Sequence, residues 1–397
     1  MSDRSVLYGS AFLRALATGM MGVLLGIHLA KIGLDEAAIG LVISAGLAGA
    51  ALAALLATFG ADRAGRRLFL IVLALVGAGG TALFAASSGA IACAAAAFLG
   101  MLNGMGRDRG AALVIEQAIL PATVTGARRT SAFAWYNVLQ DLGHALGSLM
   151  AGLPVLLRRF GGLDEAASFR GAIFVNAALI LVPALLYLRL SRAVEPVAAP
   201  AGHTRLSPQS RGVLLRLVSL FALDSLGGGF LTTALISFFF YQRFGVSEGV
   251  VAPLFLAARL LNALSHLGAA WLARRIGLVN TMVFTHMPSS LLLMSVGFAP
   301  SFPIAAALFL LREGLVEMDV PTRQSYVMAV VRPEERTFAS GVTHLVRLGA
   351  WAVAPAFAGV FMTGGLATPL VIGAGMKLLY DGLLYAAFRR VKAPEEQ

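Results

Sequence analysis

The sequence predicts an all-α integral membrane protein with twelve transmembrane helices arranged as two six-helix bundles. Of its 397 residues, 58% are hydrophobic and 13% charged, and the mean hydropathy is +0.82. A soluble domain carries about 25% charged residues, so this composition excludes an ordinary soluble protein. The apolar residues form blocks of about 20 to 29. Such blocks can cross about 30 Å of hydrocarbon as helices and are too long for transmembrane β-strands of about 10 residues.

Twelve apolar runs define the predicted spans, and polar or turn-forming segments separate them. The first run follows a short polar start, Met1 to Ser5, and is too long for a removable signal peptide. In order, the spans are residues 7–30, 36–60, 68–87, 90–118, 131–157, 171–190, 213–241, 249–272, 278–299, 302–330, 338–362 and 366–388.

The distribution of basic residues predicts the orientation of these spans. Loops with an excess of Lys and Arg stay on the cytoplasmic side of a membrane. With the N-terminus inside, the outer segments hold only Lys31, Arg158, Arg159, Arg170 and Arg243. We therefore expect a multi-pass protein of a cell membrane with both termini in the cytoplasm. The net charge of +11 then reflects inner loops and not a surface for nucleic acid.

The longest polar interruption lies between spans six and seven and predicts two domains. Residues 191–212 contain several prolines and small residues, a composition typical of a linker. This division assigns residues 1–190 to an N-terminal six-helix bundle and residues 213–397 to a C-terminal one, joined by a cytoplasmic linker.

A weak internal repeat supports two equivalent halves. Sliding one half onto the other by about 210 residues places Asp108 over Asp319, and the loop around Asp62 over the loop before Gly277. These matches fall at corresponding points of both halves, as a duplicated transporter predicts.

The loop between spans two and three carries the most specific motif. From Gly60 to Arg67 it reads GADRAGRR, which is an acid, a base, a glycine and two more bases. This pattern resembles the loop signature of the major facilitator superfamily, although Thr58 stands where the family has a glycine. The resemblance extends to span number, loop placement and halves. It implies secondary transport and a conformational role for the loop.

We interpret Asp62, Arg63, Gly65, Arg66 and Arg67 as a gating loop. A carboxylate and arginines beside a tight glycine turn can pair with a neighbouring helix end in one state and release it in another. The alternative is a basic loop that only sets the topology.

Charged residues inside the predicted spans mark a candidate substrate and proton pathway. A charge in hydrocarbon costs about 2.5 to 3.5 kcal/mol on insertion scales, so it normally faces a bundle interior or a wet cavity. The central candidates in spans four and ten are Arg107, Asp108, Arg109, Glu313, Glu317, Asp319 and Arg323. The candidates in other spans are Arg14, Asp141, Asp224, Arg259 and Arg347. The alternative is a set of buried ion pairs that lock helices together.

Two further patterns refine this hypothesis. Asp141 and Arg259 belong to polar stripes with His144 and His266, which we interpret as cavity wall or interdomain contact. Lys377 and Asp381 stand four residues apart on one predicted helix, so we expect them to form an internal ion pair.

Asp319 is the predicted proton-coupling residue. Low-dielectric surroundings disfavour an ionised carboxylate, whereas the nearby Arg323 favours it, so the balance can change when the cavity opens. Pro321 removes one backbone donor and gives the helix a place to flex. We expect Asp108, between Arg107 and Arg109, to stay ionised.

The predicted function is secondary active transport of a small solute by alternating access. The cationic candidates favour an anionic or zwitterionic solute, and the acids beside them make the proton a candidate coupling ion. One alternative is a proton-coupled exporter of lipophilic drugs, suggested by the aromatic run Phe238 to Tyr241. Another, of a different class, is a non-transporting membrane receptor or a membrane enzyme on the same fold.

The sequence predicts no enzymatic activity and no cofactor. It holds no phosphate-binding loop with Lys and Ser or Thr, which would be needed for ATP-driven transport. Cys93 is the single cysteine, and the intramembrane histidines have no carboxylate at metal-ligand spacing, so we expect no metal site. The expected partners are the lipid bilayer and the small-molecule substrate, and we expect a monomer that binds no nucleic acid.

Overall fold

The structure, a computed structural model, is helical in the part of the chain that it describes. It describes residues 2–124, 129–195, 208–319, 323 and 336–388, without the side chains at 129–131, 208–210, 266, 267, 270 and 336–340. Fifteen α-helices and no strand lie in these residues. The predicted all-α fold class is therefore confirmed.

Eight helices precede the linker. They are α1 (Asp3–Lys31), α2 (Glu36–Ala64), α3 (Arg66–Ala86), α4 (Ala90–Gly100), α5 (Ala111–Ile119), α6 (Arg129–Met150), α7 (Leu153–Gly161) and α8 (Glu165–Tyr187). Carboxylate caps set some of the starts. Asp35 accepts a hydrogen bond from the Ala38 N–H at 2.8 Å at the start of α2, and Asp164 accepts one from the Ala167 N–H at 2.7 Å at the start of α8.

Seven described helices follow the linker. They are α9 (Pro208–Gly229), α10 (Thr233–Phe244), α11 (Glu248–Ile276), α12 (Leu278–Gly297), α13 (Phe302–Val316), α14 (Arg336–Gly364) and α15 (Thr368–Phe388). Among the described residues, eight helical stretches are long and apolar enough to cross a membrane. Large apolar side chains such as Leu56, Leu264 and Leu311 are 54%, 62% and 62% exposed, which suits contact with lipid acyl chains.

Span four, predicted as one helix over residues 90–118, is broken in the middle. α4 ends at Gly100 and α5 begins at Ala111, so Arg107, Asp108 and Arg109 lie in non-helical backbone. The prediction that these three residues lie within a helix is wrong. The physical reason lies in the glycines and asparagine of this segment, which favour turns over a continuous helix.

Close packing and hydrogen bonds hold the non-helical segment in place. A Cβ atom added to Gly22 of α1 would lie 2.4 Å from the Cα atom of Gly106, so only glycine fits at this crossing. The Ala234 N–H donates to the Gly104 carbonyl at 3.0 Å, and the Thr233 hydroxyl donates to the Met105 carbonyl at 2.8 Å. Non-helical backbone is tolerated at membrane depth when protein satisfies it in this way.

Spans five and seven are also divided. α6 ends at Met150, and the short helix α7 follows. α9 ends at Gly229, the last residue of the glycine triplet 227–229. α10 then starts at Thr233 and is capped by Thr232, whose hydroxyl accepts a hydrogen bond from the Leu235 N–H at 3.1 Å.

Packing groups the helices into two units. The first unit consists of Met1–Pro200 and Thr232–Leu256, and the second of Ala201–Leu231 and Ala257–Gln397. α10 and the start of α11 thus pack within the first unit, although the sequence division assigns them to the C-terminal half. The predicted domain boundaries around residues 191–212 stay a prediction.

Each half contains the same helix–glycine–helix arrangement. Gly65 joins α2 to α3 with φ of 96°, and Gly277 joins α11 to α12 with φ of 86°. Both values lie in the left-handed region that favours glycine. α2 and α11 each contain 29 residues, which supports the internal repeat.

Candidate functional site

Two clusters of charged side chains lie inside the helical units, one in each. The Arg14 cluster, in the first unit, consists of Arg14, Asp108, Glu116, Tyr136 and Tyr187. The Asp224 cluster, in the second unit, consists of Asp224, His286, Asp319, Arg323, Lys377 and Asp381.

Arg14 joins two acids in the first unit. Its Nη1 and Nη2 atoms donate to Oε1 and Oε2 of Glu116 at 2.7 and 2.8 Å. Its Nε atom donates to Oδ2 of Asp108 at 3.0 Å. A guanidinium that meets a carboxylate at two points forms the strong, directional type of charged hydrogen bond. Arg14 is therefore held in a fixed orientation.

Two tyrosines complete the surroundings of Glu116. The Tyr136 hydroxyl donates to Oε2 at 2.6 Å, and the Tyr187 hydroxyl donates to Oε1 at 2.7 Å. The Glu116 side chain is 0% exposed. Its four hydrogen bonds use the acceptor capacity of an ionised carboxylate, so this end of the cluster is a stable support for Arg14.

Asp108 is the more accessible acid of the Arg14 cluster. Its Oδ1 atom accepts from the Gly110 N–H at 3.2 Å, and its own N–H donates to Nε2 of His144 at 2.8 Å. The Asp108 side chain is 9% exposed and has fewer hydrogen bonds than Glu116. Asp108 is thus the acid of this cluster whose pairing can change at the smaller cost.

Charges of opposite sign alternate along the Asp224 cluster. Nη1 of Arg323 donates to Oδ2 of Asp319 at 2.7 Å and to Oδ2 of Asp224 at 3.1 Å. Nζ of Lys377 donates to Oδ1 of Asp224 at 2.8 Å. All four side chains are buried. Because two acids share Arg323 and two cations share Asp224, a change at one acid alters the pairing of the next residue.

His286 continues this chain and corrects one prediction. Its Nδ1 atom lies 2.9 and 3.0 Å from the two carboxylate oxygens of Asp381, and its Nε2 atom lies 3.4 Å from Nζ of Lys377. An ammonium group can only donate, so Nε2 accepts and Nδ1–H donates to Asp381. The expected pair of Lys377 and Asp381 is wrong, because Lys377 bonds to Asp224.

Glu313 belongs to a separate pair on α13. It forms an ion pair with the adjacent Arg312, and Nδ2 of Asn262 donates to its Oε2 at 2.7 Å and to its backbone carbonyl at 2.8 Å. Glu317 stands at the C-terminal end of α13, where it is partly buried. The acidic residues of span ten therefore lie in different surroundings in the structure.

The remaining candidates lie at several places in the two units. Arg107 and Arg109 are partly buried in the non-helical segment, Asp141 is exposed on α6, and Arg259 is partly buried on α11. Nε of Arg347 donates to the Ser225 hydroxyl at 3.1 Å, and its guanidinium lies 4.9 Å from the centre of the Trp351 ring. The proposed roles of Pro321 and of the His266 side chain lie outside the described residues.

The predicted gating loop contacts the chain that follows α8. Nε of Arg66 donates to Oδ1 of Asp62 at 2.7 Å. The backbone N–H groups of Arg66 and Arg67 donate to the Glu195 carboxylate at 2.7 and 3.1 Å. Glu195 thus satisfies free donors at the N-terminus of α3, where a negative charge is favoured.

Arginine side chains of the same loop add contacts to this segment. Nη2 of Arg67 donates to the Leu188 carbonyl at 2.5 Å, and Nη1 of Arg66 lies 3.5 Å from the Val194 carbonyl. Arg63 is exposed. The loop and residues 188–195 are therefore tied together in this conformation.

Comparison with known proteins identifies the family. The family model described as "Major Facilitator Superfamily" matches residues 7–355. The chain belongs to the major facilitator superfamily. The matched residues include Arg14 on α1, Asp224 on α9 and His286 on α12. The match confirms the resemblance drawn from the loop sequence.

Relatives of this superfamily member cover nearly its whole length. It is 25% identical over 425 residues to YJR124C, an uncharacterized membrane protein of Saccharomyces cerevisiae, over 98% of this chain and 95% of the relative. The nucleoside transporter NupG matches with a TM-score of 0.76 at 16% identity, over 98% of this chain and 100% of that chain. The human organic anion transporter MFSD10 matches with a TM-score of 0.62 at 20% identity, over 96% and 98%. These structures show the shared fold.

Sequence reasoning did not assign a site role to several residues of the clusters. They are Glu116, Tyr136, Tyr187, Glu195 and His286. Glu116 and His286 carried a usable signal, because each is an ionisable side chain within an apolar run. The tyrosines and Glu195 carried none, since their roles depend on contacts with residues 20 or more positions away in the sequence.

Proposed function

We propose that this protein is a secondary active transporter that moves a small anionic or zwitterionic solute by alternating access, with protons as the coupling ion. The observation that supports this function best is the presence of a buried charge cluster in each unit. Charged side chains inside a membrane protein are energetically costly, so their presence normally indicates a role in folding or in a transport pathway. Midplane charges at equivalent positions of two repeats are typical of secondary transporters.

The charge of the solute follows from the cations near the broken part of span four. Arg107 and Arg109 flank Asp108 on non-helical backbone, and both are only partly buried. A solute carboxylate can pair with such arginines. The solved relatives transport nucleosides in one case and organic anions in another, so the shared fold does not select the solute.

Proton coupling is supported by the alternating charges of the Asp224 cluster. Protonation of Asp319 would release Arg323 to Asp224 alone, and Asp224 could then hold Lys377 less tightly. In this proposal the cluster passes a change in protonation to α9 and α15. We place both termini on the cytoplasmic side of a cell membrane, on the basis of the basic loops.

The contacts of the gating loop supply a candidate for the conformational step. In the proposed cycle, Glu195 and Asp62 hold the N-terminal end of α3 in one state and release it in the other.

The alternative, a proton-coupled exporter of lipophilic drugs, was suggested by the aromatic run Phe238 to Tyr241. Phe238, Phe239 and Phe240 are 2%, 0% and 0% exposed, so they pack in the core of the first unit.

Flux into proteoliposomes tests the transport function directly. We would screen organic anions against hydrophobic cations by thermal shift, and then measure uptake of the best stabilisers. Arg107→Ala and Arg109→Ala should weaken binding of the anion, and the exposed Arg159→Ala on α7 is the matched control. A cationic solute whose affinity is unchanged in both variants would disprove the charge assignment. No flux of any stabilising compound would disprove transport.

A further inference from the structure

The C-terminal end of α1 lies beside a cavity that the proposed transport function does not use. The cavity has a volume of about 580 Å³, within the range of small-molecule sites of about 300 to 1,000 Å³. Its lining includes His28, Lys31, Ser87, Phe169 and Arg170, from the ends of α1 and α3 and the start of α8.

This cavity is separate from the Arg14 cluster. His28 follows Arg14 by 14 positions on α1, which corresponds to about 21 Å along the helix axis at 1.5 Å per residue. All of its lining residues belong to the first unit.

His28 is a buried polar side chain in the lining of this cavity. It is 3% exposed, and neither of its ring nitrogens has a hydrogen-bond partner among the described residues. Its ring packs against Phe84, at 5.5 Å between centroids, and against Phe169, at 5.9 Å. Buried polar side chains normally have a protein or water partner. A polar group in the cavity can therefore supply the missing hydrogen bond.

The charged residues of the cavity lining determine whether the ligand should be an anion or a cation. Glu165 pairs with Nζ of Lys31 at 2.5 Å, and Asp164 accepts the hydrogen bond from Ala167 that caps α8. Both acids therefore already have partners among the residues that line the cavity or follow them in the sequence. Arg170 is exposed and makes no ion pair with any residue that the structure describes. Of the two cations and two acids in this lining, Arg170 is therefore the side chain left available to a ligand.

We propose that this cavity binds a small organic anion, whose anionic group pairs with Arg170 and whose second polar group hydrogen-bonds to His28. The walls formed by Ile32, Ala85 and Ala86 suit an apolar body between these two groups. The headgroup of an anionic lipid offers the same chemistry as a free anion.

The test uses three closely related probes on the full-length protein in phosphatidylcholine nanodiscs. 4-Hydroxybenzoate carries both groups, benzoate lacks the hydroxyl, and 4-hydroxybenzamide lacks the charge. His28→Phe keeps a ring against Phe84 and Phe169 but removes the nitrogens, and Arg170→Gln removes the charge. Arg159→Gln, also an exposed arginine, is the control.

Dissociation constants give the result. We expect His28→Phe to weaken 4-hydroxybenzoate roughly ten-fold and to leave benzoate unchanged, because only the first ligand loses a hydrogen bond. Arg170→Gln should weaken both carboxylates roughly ten-fold and leave the amide unchanged. In nanodiscs with phosphatidylglycerol, weaker probe binding would support the site with a lipid headgroup as its occupant, and unchanged binding would support a free anion.

Several results would overturn the proposal. They are undetectable binding of 4-hydroxybenzoate at millimolar concentration, equal loss of 4-hydroxybenzoate and benzoate in His28→Phe, and unchanged carboxylate binding in Arg170→Gln. Arg170 is exposed, so its variant decides the question even if His28→Phe does not fold. Because the cavity lies apart from the Arg14 cluster, loss of binding here with normal solute flux separates this proposal from the transport function.

Discussion

Arg14 and Glu116 form a two-point ion pair inside the first unit, with Nη1 and Nη2 at 2.7 and 2.8 Å from Oε1 and Oε2. The residues are separated by about a hundred positions in the sequence and join α1 to α5. The pair therefore links the broken fourth span to the first helix. A buried charge is costly without its partner, so this link stabilises the packing of the two helices.

Glu116→Gln should lower the free energy of unfolding by at most about 3 to 5 kcal/mol, because Arg14 loses its two-point partner and keeps only Asp108 as a counter-charge. Thermal unfolding in detergent measures the effect. Asp108→Asn is the matched comparison, and we expect a smaller loss because Asp108 meets Arg14 through a single hydrogen bond at 3.0 Å. Unchanged stability of Glu116→Gln would contradict the structural role of this pair.

The sequence was sufficient to predict the fold class and several charged residues of both clusters, but not Glu116 and not the pairing. Asp108 and Asp319 stood out because ionisable residues are rare in apolar runs. The pairing of Asp108 with Arg14 and of Arg323 with Asp224 could not be predicted, because each pair joins residues far apart in the sequence and no periodicity relates them. The break in span four escaped prediction for a similar reason, since residues of α10 stabilise it.

The same limit explains the wrong pairing of Lys377. Four-residue spacing makes a pair with Asp381 available on one helix, with a gain of only about 0.2 to 0.5 kcal/mol in isolated helices. Residues of α9 and α12 offer better partners, and they hold Lys377 and Asp381 apart. Local spacing indicates a possible pair, and tertiary packing decides whether it forms.

A double-mutant cycle can test this assignment of Lys377. Lys377→Met and Asp224→Asn should be non-additive in the free energy of unfolding, with a coupling of about 0.5 to 3 kcal/mol, because the two side chains are in contact at 2.8 Å. The cycle of Lys377→Met with Asp381→Asn is the control and should show the smaller coupling. The reverse order of the two coupling energies would restore the pair predicted from the sequence.

Variants of the gating loop should separate conformational from structural effects. Asp62→Asn removes the charge that Arg66 contacts at 2.7 Å, and we expect normal insertion and slower transport. Glu195→Gln should act in the same direction, because its carboxylate caps two N–H groups of α3. Initial rates of uptake, normalised to protein in the liposomes, measure both.

A neighbouring exposed arginine provides the control for these loop variants. Arg63→Gln changes the charge of the loop without touching the contacts of Asp62 or Glu195 that the structure shows. If all three variants slowed transport equally, the effect would not be specific to the contacts of Asp62 and Glu195. A normal rate in Asp62→Asn would show that its pairing does not control the gate.

The coupling role of Asp319 leads to a prediction about two transport modes. Asp319 lies 2.7 Å from Arg323, which also contacts Asp224, so a proton on Asp319 would change the whole chain of ion pairs. Asp319→Asn mimics the protonated acid permanently. We therefore expect solute exchange down its gradient to persist and accumulation driven by a pH gradient to be lost. Asp35→Asn, an exposed capping residue whose asparagine still caps α2, is the control and should retain both modes.

Counterflow and pH-driven uptake, measured on the same liposomes, distinguish the outcomes for Asp319→Asn. Normal counterflow without accumulation would agree with a proton site, because the alternating step remains while its driving reaction is absent. Full accumulation at the normal pH gradient would refute the assignment. Loss of both modes together with a lower unfolding temperature would identify Asp319 and Arg323 as a structural pair, since removing one partner of a buried pair destabilises the fold.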